Sequence, residues 1–191
     1  ASFFLDPIWW LFVGWLPLYL NETYGFGVAE IARFAWIPYV GAMFGAWFGG
    51  LLAQNRISAG WTVNKARKFV ISLGGLIMLI SLLLTIKAAT PIVAVLLMAA
   101  ILFGFQTAVG NIQTLPSDFY SGKSVGSLAG FAGTAAKLAV VLLNFLIPII
   151  TVKSYAPAFA VGAGLAIMTV LSVLILCPRI HPLSPRSATS A

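Results

Sequence analysis

Long apolar stretches alternate with short polar, glycine- or proline-containing segments along the whole chain. A helix needs about 20 apolar residues to cross the roughly 30 Å hydrocarbon core of a membrane. Six stretches meet that length with few charges, and the breaks between them carry residues that end helices. The pattern therefore predicts an all-α, polytopic membrane protein whose six transmembrane helices cover residues 3–20, 29–53, 69–86, 92–116, 125–150 and 157–177.

The composition excludes most soluble classes of protein. Hydrophobic residues make up 61% of the 191 residues and charged residues only 8%, whereas soluble domains carry about 25% charged residues. The single Cys177 permits no internal disulfide, and the single His181 excludes a metal cluster or a histidine-based triad. No Walker loop is present. We therefore expect no enzyme activity, no catalytic or metal-binding residues and no cofactor.

Most basic residues fall on one side of the predicted spans. Alternate loops counted from the N-terminus put seven Lys and Arg residues on the first side and three on the second. Since cytoplasmic loops are enriched in basic residues, we expect a multi-pass protein of the plasma (inner) membrane with both termini cytoplasmic. The net charge of +7 then reflects topology, and no nucleic-acid partner is expected. Residues 178–191 are predicted to form a disordered cytoplasmic tail.

An internal repeat and an abrupt start point to a larger protein. The pair Leu16-Pro17 recurs as Leu115-Pro116, at an offset of 99 residues. A three-helix unit that is repeated once must invert in the membrane, as it does within each half of many secondary transporters. The chain also starts directly in an apolar stretch. We therefore expect a 3+3 inverted repeat in a fragment that lacks an N-terminal six-helix half.

Lys137 lies inside the fifth predicted span, about 18 Å from either membrane face. Its side chain reaches only about 6 Å, so the ammonium group must face a polar cavity or a partner. We expect no carboxylate at this depth, because Asp6, Glu22, Glu30 and Asp118 fall near span ends or in loops. Two interpretations stay open: Lys137 binds an anionic ligand, or it forms a structural ion pair with helices absent from this chain.

Small or polar residues share one helix face in the second span and in the fifth span. Gly41, Gly45 and Gly49 form a double GxxxG ridge in the second span, which predicts close helix packing. In the fifth span, Asn144 lies on the same face as Lys137, together with three glycines at helical spacing.

The fourth span carries two adjoining polar stripes. Gln106 belongs to one stripe and Asn111 to the other. A helix that faces lipid would not hold so many amides, so this face lines protein or water. Interhelical hydrogen bonding and substrate contact explain these residues equally well.

Aromatic residues of the first two spans fall into two groups. Trp15, Tyr19 and Tyr39 are placed to stack on a ligand ring or to hydrogen-bond a hydroxyl group, although interface or packing roles are the alternative. Trp9 and Trp10 lie near the expected cytoplasmic end. We interpret them as part of the aromatic belt at the membrane interface.

Several short motifs together resemble one branch of membrane transporters. Residues 6–10 (DPIWW) and 15–20 (WLPLYL) resemble the seventh helix of the anion:cation symporter branch of the major facilitator superfamily, and of its hexuronate transporters in particular. Further matching segments are 37–39 (IPY), 60–68 (GWTVNKARK), 117–119 (SDF) and 125–130 (VGSLAG). The resemblance covers nearly the whole chain.

The resemblance implies half of a major facilitator superfamily fold, the C-terminal half of a twelve-helix symporter. Its implied function is secondary transport of an organic anion, such as a hexuronate or a related sugar acid, with a proton and by alternating access. The expected partners are this small anion, a proton, the missing half and the lipid bilayer. Carried over by position, the substrate contacts are Gln106, Asn111, Asn144, Trp15 and Tyr19, to which the residue patterns add Lys137 and Tyr39.

The chain departs from the family pattern at two points. Gln54-Asn55 stands where the cytoplasmic loop of the family usually has Asp-Arg, so the usual gating contacts are not carried over. Lys137 stands in a helix that is usually glycine-rich and neutral in the family. Hexuronate specificity is therefore not carried over either. The alternative to a transporter half is a self-standing six-helix membrane protein with a structural or channel role.

Overall fold

The computed structural model describes residues 1–120 and 123–177, which contain α-helices and no β-strand. The helices are α1 (Ser2–Tyr24), α2 (Val28–Phe34), α3 (Ile37–Ser58), α4 (Val63–Thr85), α5 (Pro91–Gln113), α6 (Leu115–Phe119), α7 (Lys123–Ile150) and α8 (Ala156–Leu176). Within the described ranges, six segments are long and apolar enough to cross a membrane. The predicted all-α, six-span architecture is confirmed. The predicted tail at 178–191 lies outside the described residues.

Two of the six spans are each divided into two helices. The span predicted at 29–53 consists of α2 and α3, with Pro38 in the first turn of α3. The span predicted at 92–116 consists of α5 and α6, with Pro116 in the first turn of α6. A proline lacks the N–H that a helix interior requires but is tolerated in a first turn. Each break therefore falls just before a proline.

Helix α1 extends beyond its predicted end at residue 20. Pro17 lies inside the helix, and Gly25 ends it with a φ of 70°. Glycine adopts this left-handed conformation without steric strain. The two Leu-Pro pairs therefore mark different features, the interior of α1 and the start of α6.

Helix packing supplies better support for the repeat. The two three-helix units correspond through the pairs α1 and α5, α3 and α7, and α4 and α8. When each helix is replaced by its counterpart, a pair of packed helices maps onto another packed pair or onto itself. The α3–α5 pair becomes α7–α1, the α4–α5 pair becomes α8–α1, and the α4–α8 and α1–α5 pairs are unchanged. Because each unit has three spans, the second unit is inverted. This arrangement is the expected 3+3 inverted repeat.

The glycine ridge of α3 sets the distance between α3 and α5. Gly41 lies against Ala99, Gly45 against Phe103 and Gly49 against Thr107, in each case against the backbone of α5. A β-carbon added at any of the three glycines would clash with those backbone atoms. The ridge is therefore a helix-packing surface, as predicted.

Candidate functional site

Lys137 forms an ion pair with Asp6 where α1 packs against α7. The Nζ atom of Lys137 lies 2.9 Å from Oδ2 of Asp6. Lys137 stands near the middle of α7, which is 28 residues long. The expectation that no carboxylate lies at the depth of Lys137 is therefore wrong. Its counter-charge belongs to this chain and not to absent helices.

The direction of the two helices explains this error. Asp6 meets Lys137, and Trp15, further along α1, meets Asn144, further along α7. The two helices therefore run in the same direction, and the first turns of α1 lie beside the middle of α7. For this reason, the position of Asp6 within its own helix does not report its depth in the bundle.

An open cavity of about 360 Å³ adjoins this ion pair, and we call it the Asp6–Lys137 cavity. Its walls come from α1, α5 and α7, and its lining residues are Asp6, Trp9, Trp10, Phe105, Gln106, Val109, Gln113 and Lys137. Residues three and four positions apart share a helix face, which explains how α1 contributes one carboxylate and two indoles. The cavity combines an ion pair with aromatic surface and two carboxamides.

The two charged side chains differ in their exposure to the cavity. The Lys137 side chain is 59% exposed, whereas that of Asp6 is 20% exposed. The Nζ atom also lies 5.5 Å from the ring centroid of Trp10, within the range of a cation–π interaction. Asp6 and Trp10 thus cover one side of the ammonium group, and its other side is open to the cavity.

Of the other predicted site residues, Gln106 lines the Asp6–Lys137 cavity, whereas Trp15 and Asn144 lie at a second level. The indole Nε1 of Trp15 donates to Oδ1 of Asn144 at 3.4 Å. Nδ2 of Asn144 donates to the carbonyl of Val140 at 2.9 Å. Along the helices this level is about 10–14 Å from the ion pair.

The two predicted tyrosines lie outside the cavity wall. The Tyr39 ring is exposed, and its centroid lies 6.1 Å from that of Trp9, which does line the cavity. Tyr19 is buried, with its hydroxyl oxygen 3.2 Å from that of Tyr24. The Tyr24 hydroxyl in turn donates to the carbonyl of Ala88 at 3.0 Å. Tyr19 thus anchors α1 to the turn after α4.

Asn111 belongs to a hydrogen-bond network that joins four helices. Its Oδ1 accepts from Nη1 of Arg67 at 3.0 Å, and Nε of Arg67 donates to Oδ2 of Asp118 at 3.1 Å. Its Nδ2 donates to the carbonyls of Gly49 and Thr107 at 3.4 and 3.2 Å. We call Arg67, Asn111 and Asp118 the Arg67 cluster. Interhelical bonding, one of the two interpretations of this stripe, therefore describes Asn111.

Sequence reasoning missed part of the cavity wall. The sequence pattern places Asp6 at a helix end and Trp9 and Trp10 at the membrane interface, yet all three line the Asp6–Lys137 cavity. A carboxylate inside an otherwise apolar helix is itself a signal of function. The two tryptophans follow Asp6 at three- and four-residue steps, so they share its face.

A second cavity, of about 370 Å³, lies at the opposite end of α1. Glu22 and Tyr155 are among its lining residues, and the Tyr155 hydroxyl donates to Oε2 of Glu22 at 2.7 Å. Tyr155 directly precedes α8 and lies outside the membrane-spanning segments. Burial, followed by the hydrogen bond to the Glu22 carboxylate, raises the pKa of Tyr155 above its ordinary value. This contact fastens the end of α1 to the start of α8.

Inverted three-helix repeats of this kind occur within each half of many secondary transporters. Residues 1–144 match the family model for the Major Facilitator Superfamily, and the chain belongs to this superfamily. Membership confirms the resemblance noted in the motifs and assigns the chain to transport proteins rather than to enzymes.

Three of the similar proteins are named as transporters of sugar acids. The hexuronate transporter of Escherichia coli (strain K12) is 32% identical over 176 residues, which cover 91% of this chain and 40% of that protein. The galacturonate transporter of Dickeya chrysanthemi is 39% identical over 80 residues, 40% of this chain and 23% of that protein. A probable galactarate/D-glucarate transporter of Escherichia coli (strain K12) is 32% identical over 104 residues, 54% of this chain and 23% of that protein. The matched part of the chain thus spans about two fifths of the length of the hexuronate transporter. It spans less than a quarter of the length of each of the other two proteins.

Proposed function

We propose that this chain is the C-terminal half of a secondary transporter that carries a sugar acid anion, such as a hexuronate, together with a proton by alternating access. One observation carries the proposal: the ammonium group of Lys137 is partly open to a cavity lined by two indoles and two carboxamides. A sugar acid presents a carboxylate, several hydroxyl groups and an apolar ring face. Ammonium, amide and indole groups complement these three features.

The proposed substrate contacts differ in how directly they act. Lys137 binds the carboxylate, and Gln106 hydrogen-bonds sugar hydroxyl groups from the same cavity. Trp15, Asn144 and Tyr39 extend the surface that the substrate meets as the two halves rock. Asn111 and Tyr19 are buried and have a supporting role, because they hold α5 and α1 in place.

The proposed partner is an N-terminal six-helix half in the same membrane. Much of α7 is uncovered: Phe131 is 79% and Phe145 73% exposed, and no atom lies within 4 Å of a β-carbon built at Gly126 or Gly130. Such a surface supports packing against further helices or lipid. The excess of basic residues beside Arg67 supports cytoplasmic termini in the plasma membrane.

Uptake of radiolabelled galacturonate tests this function. The complete reading frame that encodes this chain is expressed in cells, and uptake is compared with that of Lys137→Ala at equal membrane abundance. We expect saturable uptake that falls at least about tenfold in Lys137→Ala, because a charge-assisted contact to the substrate is lost. Lys87→Ala, in the turn after α4, is the matched control and keeps normal uptake.

Two results would contradict the proposal. Unchanged saturable uptake by Lys137→Ala would remove Lys137 from the substrate site. A reading frame that encodes only these six spans, with flux that does not saturate, would instead favour a self-standing channel.

A further inference from the structure

Asp6 holds the same ammonium group that the proposed substrate binds. Its carboxylate already pairs with Lys137 at 2.9 Å and lines the same cavity. Among the described residues of the cavity wall, Lys137 from α7 and Asp6 from α1 carry the charges, and α5 contributes only uncharged side chains. From α3, the Tyr39 ring packs edge to face against Trp9. A substrate carboxylate and Asp6 therefore compete for one ammonium group.

Entry of an anion disturbs the charge balance of this cavity. The ion pair is neutral, so one added carboxylate leaves one negative charge without a partner. Once the proposed N-terminal half covers this open cavity, uncompensated charge there is strongly unfavourable, and two carboxylates that share a site do not both stay ionised. Uptake of one proton by the displaced carboxylate restores neutrality.

We propose that Asp6 is a proton-carrying residue of this half: the anionic substrate displaces Asp6 from Lys137, and the displaced carboxylate takes up one proton from water. This inference rests on the proposed function. When the substrate leaves, the carboxyl O–H bond of Asp6 breaks, the proton returns to water on that side, and Asp6 pairs with Lys137 again. One carboxylate and one proton therefore cross together, without net charge at this site.

Calorimetric titration of the purified complete protein tests the proposal. Galacturonate is the probe, and two buffers with different ionisation enthalpies report the protons taken up. We expect the unaltered protein to take up about one proton per bound anion. Asp6→Asn should bind galacturonate about tenfold more tightly, because the competing carboxylate is gone, and should take up almost no protons. The methyl ester of galacturonate, which has no charge, should elicit no proton uptake in either protein.

Matched variants separate this role from a structural ion pair. Glu30→Gln makes the same chemical change at an exposed helix-capping carboxylate of α2 and should leave affinity and proton uptake unchanged. Lys137→Gln and the double variant Asp6→Asn/Lys137→Gln should both bind galacturonate at least about tenfold more weakly than the unaltered protein. A double variant with normal affinity and normal proton uptake would overturn the proposal, as would proton uptake that persists in Asp6→Asn.

An infrared difference spectrum covers the case in which the variants do not fold. Galacturonate added to the unaltered protein should produce the carbonyl band of a newly protonated carboxyl group, and its absence would overturn the proposal. Binding without proton uptake would contradict this inference alone. No binding of any sugar acid by the unaltered protein would overturn the proposed function as well.

Discussion

Nε of Arg67 on α4 lies 3.1 Å from Oδ2 of Asp118 on α6, and each side chain is 19% exposed. The same guanidinium group also donates to Asn111 on α5. Three helices thus meet at one cation. Removing one partner of such a pair leaves the other charge poorly solvated, so we expect the Arg67 cluster to stabilise this end of the bundle.

Arg67→Met should therefore destabilise the protein. The variant keeps an unbranched apolar stem but leaves Asp118 and Asn111 without their donor, at an expected cost of about 1–3 kcal/mol in the free energy of unfolding. Thermal unfolding in detergent measures the effect. Arg56→Met is the control, because Arg56 stacks over Trp61 at 5.1 Å and is not a member of the Arg67 cluster. Equal destabilisation by the two variants would contradict the role of the Arg67 cluster.

Gly45→Ala should separate α3 from α5. A β-carbon at this position would clash with the backbone of Phe103, which cannot move as a side chain can. Overpacking of this kind costs about 1–3 kcal/mol of stability. The control is Gly50→Ala on the same helix, where a β-carbon meets nothing within 4 Å. Thermal unfolding of both variants should show a loss at Gly45 and none at Gly50.

Gln106→Ala should weaken substrate binding without preventing folding. Gln106 is half-buried in the wall of the Asp6–Lys137 cavity. Loss of one hydrogen bond of about 1–1.5 kcal/mol corresponds to a roughly tenfold rise in KM for galacturonate. Gln54→Ala, an exposed glutamine near the end of α3, is the control. An unchanged KM in Gln106→Ala would place the substrate elsewhere in the protein.

The contact between Tyr155 and Glu22 should make the stability of the protein depend on pH in the alkaline range. The pKa of Tyr155 is raised by burial and then by Glu22 from an ordinary value of 10.0. The folded state therefore keeps this proton at pH values where the unfolded state has lost it. The stabilisation is fully present below about pH 10 and declines as the pH rises further.

Chemical unfolding of Tyr155→Phe at a series of pH values measures this dependence. The difference in unfolding free energy between the unaltered protein and the variant should be constant from about pH 8 to about pH 10 and then shrink. Tyr120→Phe controls for the loss of an exposed tyrosine hydroxyl. A difference that grows above pH 10 would contradict the sign of the shift.

The glycine ridge and the ion pair show which features the local sequence pattern can predict and which it cannot. Gly41, Gly45 and Gly49 could be assigned to packing from their spacing alone, because a helix brings every fourth residue to one face. Lys137 could be recognised as a functional candidate because its depth follows from the length of its own apolar stretch. Asp6 could not be recognised as the partner of Lys137, because the stagger between α1 and α7 is a property of their packing.

Sequence by itself determined the membrane class, the number of spans, the family resemblance and the candidacy of Lys137, because apolar length and an intramembrane charge are local properties of the chain. Only the tertiary structure decided that Asp6 neutralises Lys137, that Trp9 and Trp10 line the cavity, and that Asn111 bonds Arg67. These relationships join residues far apart in the chain. They depend on how neighbouring helices are staggered and rotated, and hydrophobic patterning leaves both undetermined.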